Sequence, residues 1–237
     1  MSKKQTKIVI LIVVSSVFFS LHALSQKAAP LIPSDIYKYL ESMDPTLING
    51  KQYTYFAPKS MGSPFFSTSE FISGRITIRG RTFEKQELRY DIYNQQVTLR
   101  FVDAIGANRI LVIPIEWLES FNIGSFYFEV HKGAKDELQI YQVIGAGAVK
   151  CLYHWKCFMA LESNLGQSKY VFTEQQREAY LQKDGRLYLY GSNKSFAKFF
   201  GDQHYDTVRK YLRSHKVKVA KANDSTMLEL INYCNSL

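Results

Sequence analysis

The sequence predicts an α+β protein that is mostly β: an antiparallel meander forming a barrel or a sandwich, with a short helix before it and two to three helices behind it. Three observations carry this. From Gly74 onward apolar residues recur at every second position; turn residues punctuate these runs at short intervals; and beyond Gly191 the apolar spacing changes to three and four. Strands this regular, joined with few intervening helices, favour an antiparallel sheet over a parallel one.

The chain opens MSKKQTK and runs into IVILIVVSSVFFSLHAL. A basic leader (Lys3, Lys4, Lys7), an apolar stretch from Ile8 to Leu24 and small residues at Ala23 and Ser25 have the order of a secretory signal peptide, with cleavage before Gln26. The rival reading is an uncleaved anchor, at the short edge of what spans a bilayer. Residues 1–25 are therefore read as a signal peptide and 26–237 as one β-rich domain whose helical segment starts near 192. Cleavage lowers Lys+Arg from 30 to 27 against 21 Asp+Glu, so the net charge falls from +9 to +6. A mildly basic exported chain suits anionic headgroups or envelope polymers, and nucleic acid is a poor partner for it.

After the extended QKAAPLIP, Ser34 can cap a short helix, SDIYKYLESMD, with Ile36, Tyr39, Leu40 and Met43 on one face; Asp44-Pro45 should end it. KQYTYFAPKSMGSPFF reads as short strand broken by Pro58 and by Gly62-Ser63-Pro64. Ile76 and Ile78 alternate with Arg75, Thr77 and Arg79 before a turn at Gly80. Leu88, Tyr90 and Ile92 alternate with Arg89, Asp91 and Tyr93, and across a turn at Asn94-Gln95 they meet Val97, Leu99 and Phe101. RILVIPI, SFYFEV, LQIYQVI, AVKCLYHWKCFMA, KYVFTEQ and RLYLYGS supply further strands. In the tail, Ser192 or Asn193 caps a helix carrying Phe196, Phe199 and Phe200, and Asp202 precedes one carrying Tyr205, Val208 and Leu212. Asn223-Asp224 caps the last, with Met227, Leu230, Ile231 and Cys234 at helical spacing. No internal repeat stands out.

Two clusters are candidate binding residues. Arg89, Asp91 and Arg100 should project together from the outer face of the hairpin, where a solvated cross-strand ion pair explains them as well as a ligand does. Tyr90 and Tyr93 are open to lining a groove, as are the other tyrosines. The segment VRKYLRSHKVKVAK holds a basic stripe of Arg209, Lys210, Arg213, Lys216, Lys218 and Lys221 with Tyr211 among them; it suits lipid phosphate or an acidic partner, or is a solvated helix face.

Catalytic signatures are missing from the sequence. There is no GxSxG, no HExxH and no Walker A loop, and Gly145-Ala146-Gly147 lacks the third glycine of a dinucleotide loop. No cofactor is implied, and no metal, since CxxC and paired-His spacings do not occur. His154 and Cys157 lie three apart and so on opposite faces of a strand. Cys151 and Cys157 share a face but sit roughly 20 Å apart at strand rise, far beyond the ~7 Å a disulfide tolerates. A hydrolase using two carboxylates brought together by folding stays open, with Asp91, Asp103, Glu116, Glu119, Glu129 and Glu174 on or near strands.

NGKQY near Asn49, GSPFF near Gly62, ELRYDIYNQQV near Glu87 and the tail FAKFF to VRKYLRSHKVKVAKAND together resemble a family of exported, β-rich proteins of Gram-negative envelopes. The resemblance spans nearly the whole mature chain. It implies this fold outline and a periplasmic or outer-membrane-associated location, and it carries over no activity, cofactor or catalytic residue. The expectation is a non-enzymatic envelope protein serving a protein, lipid or glycan partner.

Overall fold

The computed structural model describes residues 44–237 apart from 58, 104, 134, 165 and 166. The leader and most of the helix expected at 34–44 lie outside these residues. Asp44 itself caps a following single turn, α1 (Pro45–Ile48), by accepting the Thr46 amide at 2.8 Å. Pro45 is thus the first residue of a new turn rather than only the end of an old one.

Thirteen strands follow: β1 (Lys51–Gln52), β2 (Ile72–Ile78), β3 (Arg81–Asp91), β4 (Gln96–Val102), β5 (Asn108–Ile113), β6 (Leu118–Ile123), β7 (Phe126–Lys132), β8 (Leu138–Ile144), β9 (Val149–Lys156), β10 (Met159–Asn164), β11 (Gln167–Phe172), β12 (Gln176–Lys183) and β13 (Arg186–Tyr190). Eleven of them form one antiparallel sheet in the order β1-β5-β4-β3-β2-β6-β7-β8-β9-β12-β13, and β10 with β11 makes a separate hairpin. The chain therefore is mostly β with C-terminal helices, as its periodicity predicts. The sheet is open, ending at β1 and β13, so the barrel alternative is not realised. Two four-stranded meanders, β2–β5 and β6–β9, meet through β2 and β6, and the strand order reads symmetrically about that pair. This topological duplication has no counterpart in the sequence.

The sheet curls strongly. Tyr90 on β3 and Phe128 on β7 are three strands apart, roughly 14 Å across a flat sheet, yet their rings lie 5.5 Å apart. Folding one face onto itself buries Ile76, Leu88, Tyr90, Leu99, Phe121 and Phe128 in a first core. Gly74 makes part of that curl possible. The β2–β3 register slips beside it, and a Cβ there would sit 2.0 Å from the Asn122 carbonyl oxygen on β6.

A second core lies between β8, β9, β12 and β13 and the tail helices α2 (Asn193–Phe199), α3 (Gly201–Ser214) and α4 (Asp224–Asn235). Of the stripes seen in the sequence, Phe196, Val208, Leu212, Met227, Leu230, Ile231 and Cys234 are buried here, while Phe199, Phe200 and Tyr205 are partly buried against them. Ser192 rather than Asn193 caps α2, and Asn223 caps α4. A polar chain ties α4 to the sheet: the Trp155 indole donates to Gln142, whose amide donates to Asp224.

Three expectations are refined. AVKCLYHWKCFMA is two strands, β9 and β10, broken at Cys157-Phe158. LESFNI and QREAYLQK, not singled out in the sequence, are β6 and β12. The latter is built of good helix formers, and its pairing on both sides, with β9 and β13, overrides that propensity.

Candidate functional site

The hairpin cluster is not the solvated ion pair it resembles. From Tyr53, whose amide bonds the Ile110 carbonyl on β5, the chain passes to Phe65, which bridges to Asp91 at the end of β3. This strap buries Asp91 completely. One carboxylate oxygen accepts the Tyr93 and Asn94 amides at 3.0 and 2.9 Å; the other accepts the Tyr53 hydroxyl at 2.9 Å and the Asn94 side-chain amide at 2.8 Å. Burial, and then the adjacent Asp91 carboxylate, raises the Tyr53 hydroxyl pKa far above its ordinary range. Asp91 thus organises a turn and fastens the strap, with its acceptor sites filled.

Arg89 points the same way but forms no ion pair with an acid among the described residues. Its guanidinium lies 3.7 Å from the Phe65 ring centre and 4.2 Å from that of Phe71, and it donates to the Ser69 carbonyl at 3.0 Å. Burial lowers its pKa. Arg100 makes the cross-strand ion pair instead, with Glu87 directly opposite it at 2.8 Å. The sequence reading fails here because residues 53–71 add a second cover to a face that alternation alone marks as wet.

The basic stripe is outward-facing. Lys210 and Arg213 are exposed on the last turns of α3, opposite buried Val208 and Leu212; Lys216, Lys218 and Lys221 are exposed around buried Val217 and Val219. Arg209 donates to the Tyr205 hydroxyl at 3.0 Å. None of the described ion pairs engages these cations. Tyr211 is not free among them: it stacks between His215 and Tyr233, with ring centres 4.0 and 4.1 Å away. Positive charge at the end of α3 also offsets the helix dipole.

A groove that the sequence does not flag lies beside the β10–β11 hairpin. Phe56, Ala57, Lys59 and Ser60 of the strap line one side, and Met159, Ser168, Lys169 and Tyr170 line the other, enclosing about 540 Å³. That is within the usual size range of ligand sites, ~300–1,000 Å³, and twice the 270 Å³ of a cavity around Asn122. An aromatic cluster backs its Phe56 wall. Phe56 stacks on Tyr93 at 5.4 Å, and Phe172 meets both rings edge-on. The strap is pinned to β11 by two backbone bonds, Met61 to the Tyr170 carbonyl and Phe172 to the Met61 carbonyl, both 2.9 Å. Gly62 allows this approach: its φ is +76°, and a Cβ would lie 2.9 Å from the Phe172 oxygen. Of the groove's lining side chains Phe56 and Tyr170 are each roughly half exposed, as are Met61, Phe158 and Leu161 in the flanking segments of strap and hairpin. Among the described residues two lysines border it and no acid does. Of the tyrosines offered by the hairpin, neither lines the groove: Tyr93 packs behind Phe56 and Tyr90 lies in the core.

The remaining chemistry is structural. Cys151, Cys157 and Cys234 are free and buried, and burial pushes their thiols up to about 11, 11 and 12. Asp103 holds the β4–β5 loop and pairs with Arg109 at 2.7 Å; Glu119 accepts the Gly80 amide at 2.6 Å; Glu129 accepts a hydrogen bond from His131 at 2.8 Å, which, with Lys150 beside it, lowers its pKa. Glu116 and Glu174 are exposed. None of the five cavities described is lined by two carboxylates. Among the described residues no cluster of His, Cys, Asp and Glu is arranged for a metal ion, and no helix is long and apolar enough to cross a membrane. No family model, curated protein or solved structure matches the chain.

Proposed function

We propose that this is an exported, non-enzymatic protein of the cell envelope, periplasmic or held at the outer membrane, that binds the apolar part of a lipid in the groove between the strap and the β10–β11 hairpin. The observation that carries the reading is the groove itself: Phe56, Ala57, Met159 and Tyr170 in its walls, Phe56 and Tyr170 left about half exposed, and about 540 Å³ of space. Exposed large apolar side chains gathered on one rim are costly in water and mark interaction sites. The signal-like leader supports export, and the acids that a hydrolase would need are each held by a local partner or exposed singly. The test is displacement of a fluorescent acyl probe from the purified mature chain, before and after filling the groove with Ser168→Trp. Loss of binding with an unchanged melting curve supports the reading; full binding by the filled variant overturns it.

A second reading, contact of the basic stripe with an anionic surface, is favoured by five exposed cations with no internal partner among the described residues. It predicts binding to phosphatidylglycerol vesicles that weakens steeply with salt and with Lys210→Glu plus Arg213→Glu. Salt-insensitive binding, or none, removes it.

A further inference from the structure

The two edges of the sheet are treated differently. At one end β1 is only two residues long, which blunts it as a template. At the other, β13 runs five residues, Arg186–Tyr190, in unbroken register with β12 and with no neighbour on its outer side among the described residues. None of the usual edge protections is present in Leu187–Tyr190: no proline, no lysine, no bulge. After the exposed Arg186 at its start the strand is apolar, with Tyr188 44% and Leu189 67% exposed and Tyr190 buried. A regular apolar edge of this kind recruits another strand.

We infer that this edge pairs with the β13 of a second copy of the chain, antiparallel and centred on Tyr188. The reason for choosing a second copy is the symmetry of the segment. A twofold interface sets the same residues against each other in reverse order, and Leu-Tyr-Leu reads the same in both directions. In that register Tyr188 faces Tyr188, and each Leu187 faces Leu189 of the other copy. Aromatic and apolar cross-strand pairs of this kind are the stabilising ones. Leu187 and Leu189 share the sheet face opposite Tyr188, so the four leucines form one patch while the tyrosines lie on the helix side, where Tyr188 already packs edge-on against Phe199 at 5.0 Å. Two sheets of eleven strands then become one continuous sheet. Five residues per copy bury far less than the ~1,200–2,000 Å² of a stable interface, so the dimer is weak and concentration-dependent.

Sedimentation velocity over a concentration series, joined to cysteine crosslinking, tests this. The wild-type chain should show a monomer–dimer equilibrium, and Leu189→Lys should weaken it at least tenfold with unchanged circular dichroism and melting. Tyr188→Cys should form a disulfide dimer under mild oxidation, because directly opposed Cβ atoms lie about 5 Å apart, whereas Leu189→Cys should not, because its copies are diagonal at about 7–8 Å. The native thiols are buried and give little background. A chain that stays monomeric to its solubility limit, a dimer indifferent to Leu189→Lys, or equal crosslinking at both positions overturns the inference.

Discussion

Replacing Asp91 separates a structural carboxylate from a solvated or catalytic one. The side chain is fully buried and accepts four hydrogen bonds, from the Tyr53 hydroxyl, the Asn94 side chain and two turn amides. Asp91→Ala strands them all. A buried donor left unpaired costs about 1–3 kcal/mol, and this applies in full to the Tyr53 hydroxyl. The three turn donors are partly exposed and regain water, so about 0.5–1 kcal/mol each is reasonable. The expected loss is therefore about 2.5–6 kcal/mol. Asp91→Asn keeps an oxygen for the turn amides and should cost about half as much. Arg100→Ala removes only an exposed cross-strand pair and should cost at most about 1 kcal/mol. Urea unfolding followed by circular dichroism, with the slope against denaturant unchanged, gives all three values. If Asp91→Ala costs under 1 kcal/mol, or no more than Arg100→Ala, the strap does not depend on this carboxylate and the reasoning fails.

Other outcomes follow from the same contacts. Gly74→Ala forces a Cβ onto the Asn122 carbonyl and should destabilise by more than about 2 kcal/mol, whereas Gly80→Ala, at φ +75° with open space around it, should cost only about 1 kcal/mol; comparison of the two melting curves checks this. The side chain of Asn235 bonds Val149 on both its amide and carbonyl, and the Ala146 carbonyl as well, so Asn235→Ala should loosen α4 and speed amide exchange in α4 without unfolding the first core. The three thiols should resist a disulfide reagent at pH 8 until the chain is denatured. Their pKa values are raised from about 9 to about 11–12 in the folded state, so the unfolded chain ionises first. Stability is then undiminished by them below about pH 9 and falls between pH 9 and 12; alkaline titration of unfolding that shows no such fall contradicts the burial of these thiols.

What the sequence discloses follows from how local each signal is. Alternation places Leu88, Tyr90, Val97 and Leu99 inward, and helical spacing places Met227, Leu230, Ile231 and Cys234, because both patterns repeat within a few residues. Alternation says which face is apolar, not whether the other face is later covered. Asp91 is misjudged for that reason, since its cover comes from Tyr53 and Phe65, tens of residues upstream. β12 is missed because QREAYLQK has helical propensity and becomes a strand only between β9 and β13. The groove is the least visible feature. Its walls join Phe56 to Tyr170, more than a hundred residues apart, and neither side carries a spacing or a charge pattern that marks it.

The most direct measurement is a titration of the isotopically labelled chain from Gln26 onward with a medium-length fatty acid, following backbone amide shifts. Saturable shifts confined to residues 56–61 and 159–172, lost in Ser168→Trp, are the predicted result. Shifts spread over the sheet, centred on α3, or missing at saturation of the ligand would contradict a lipid-binding groove.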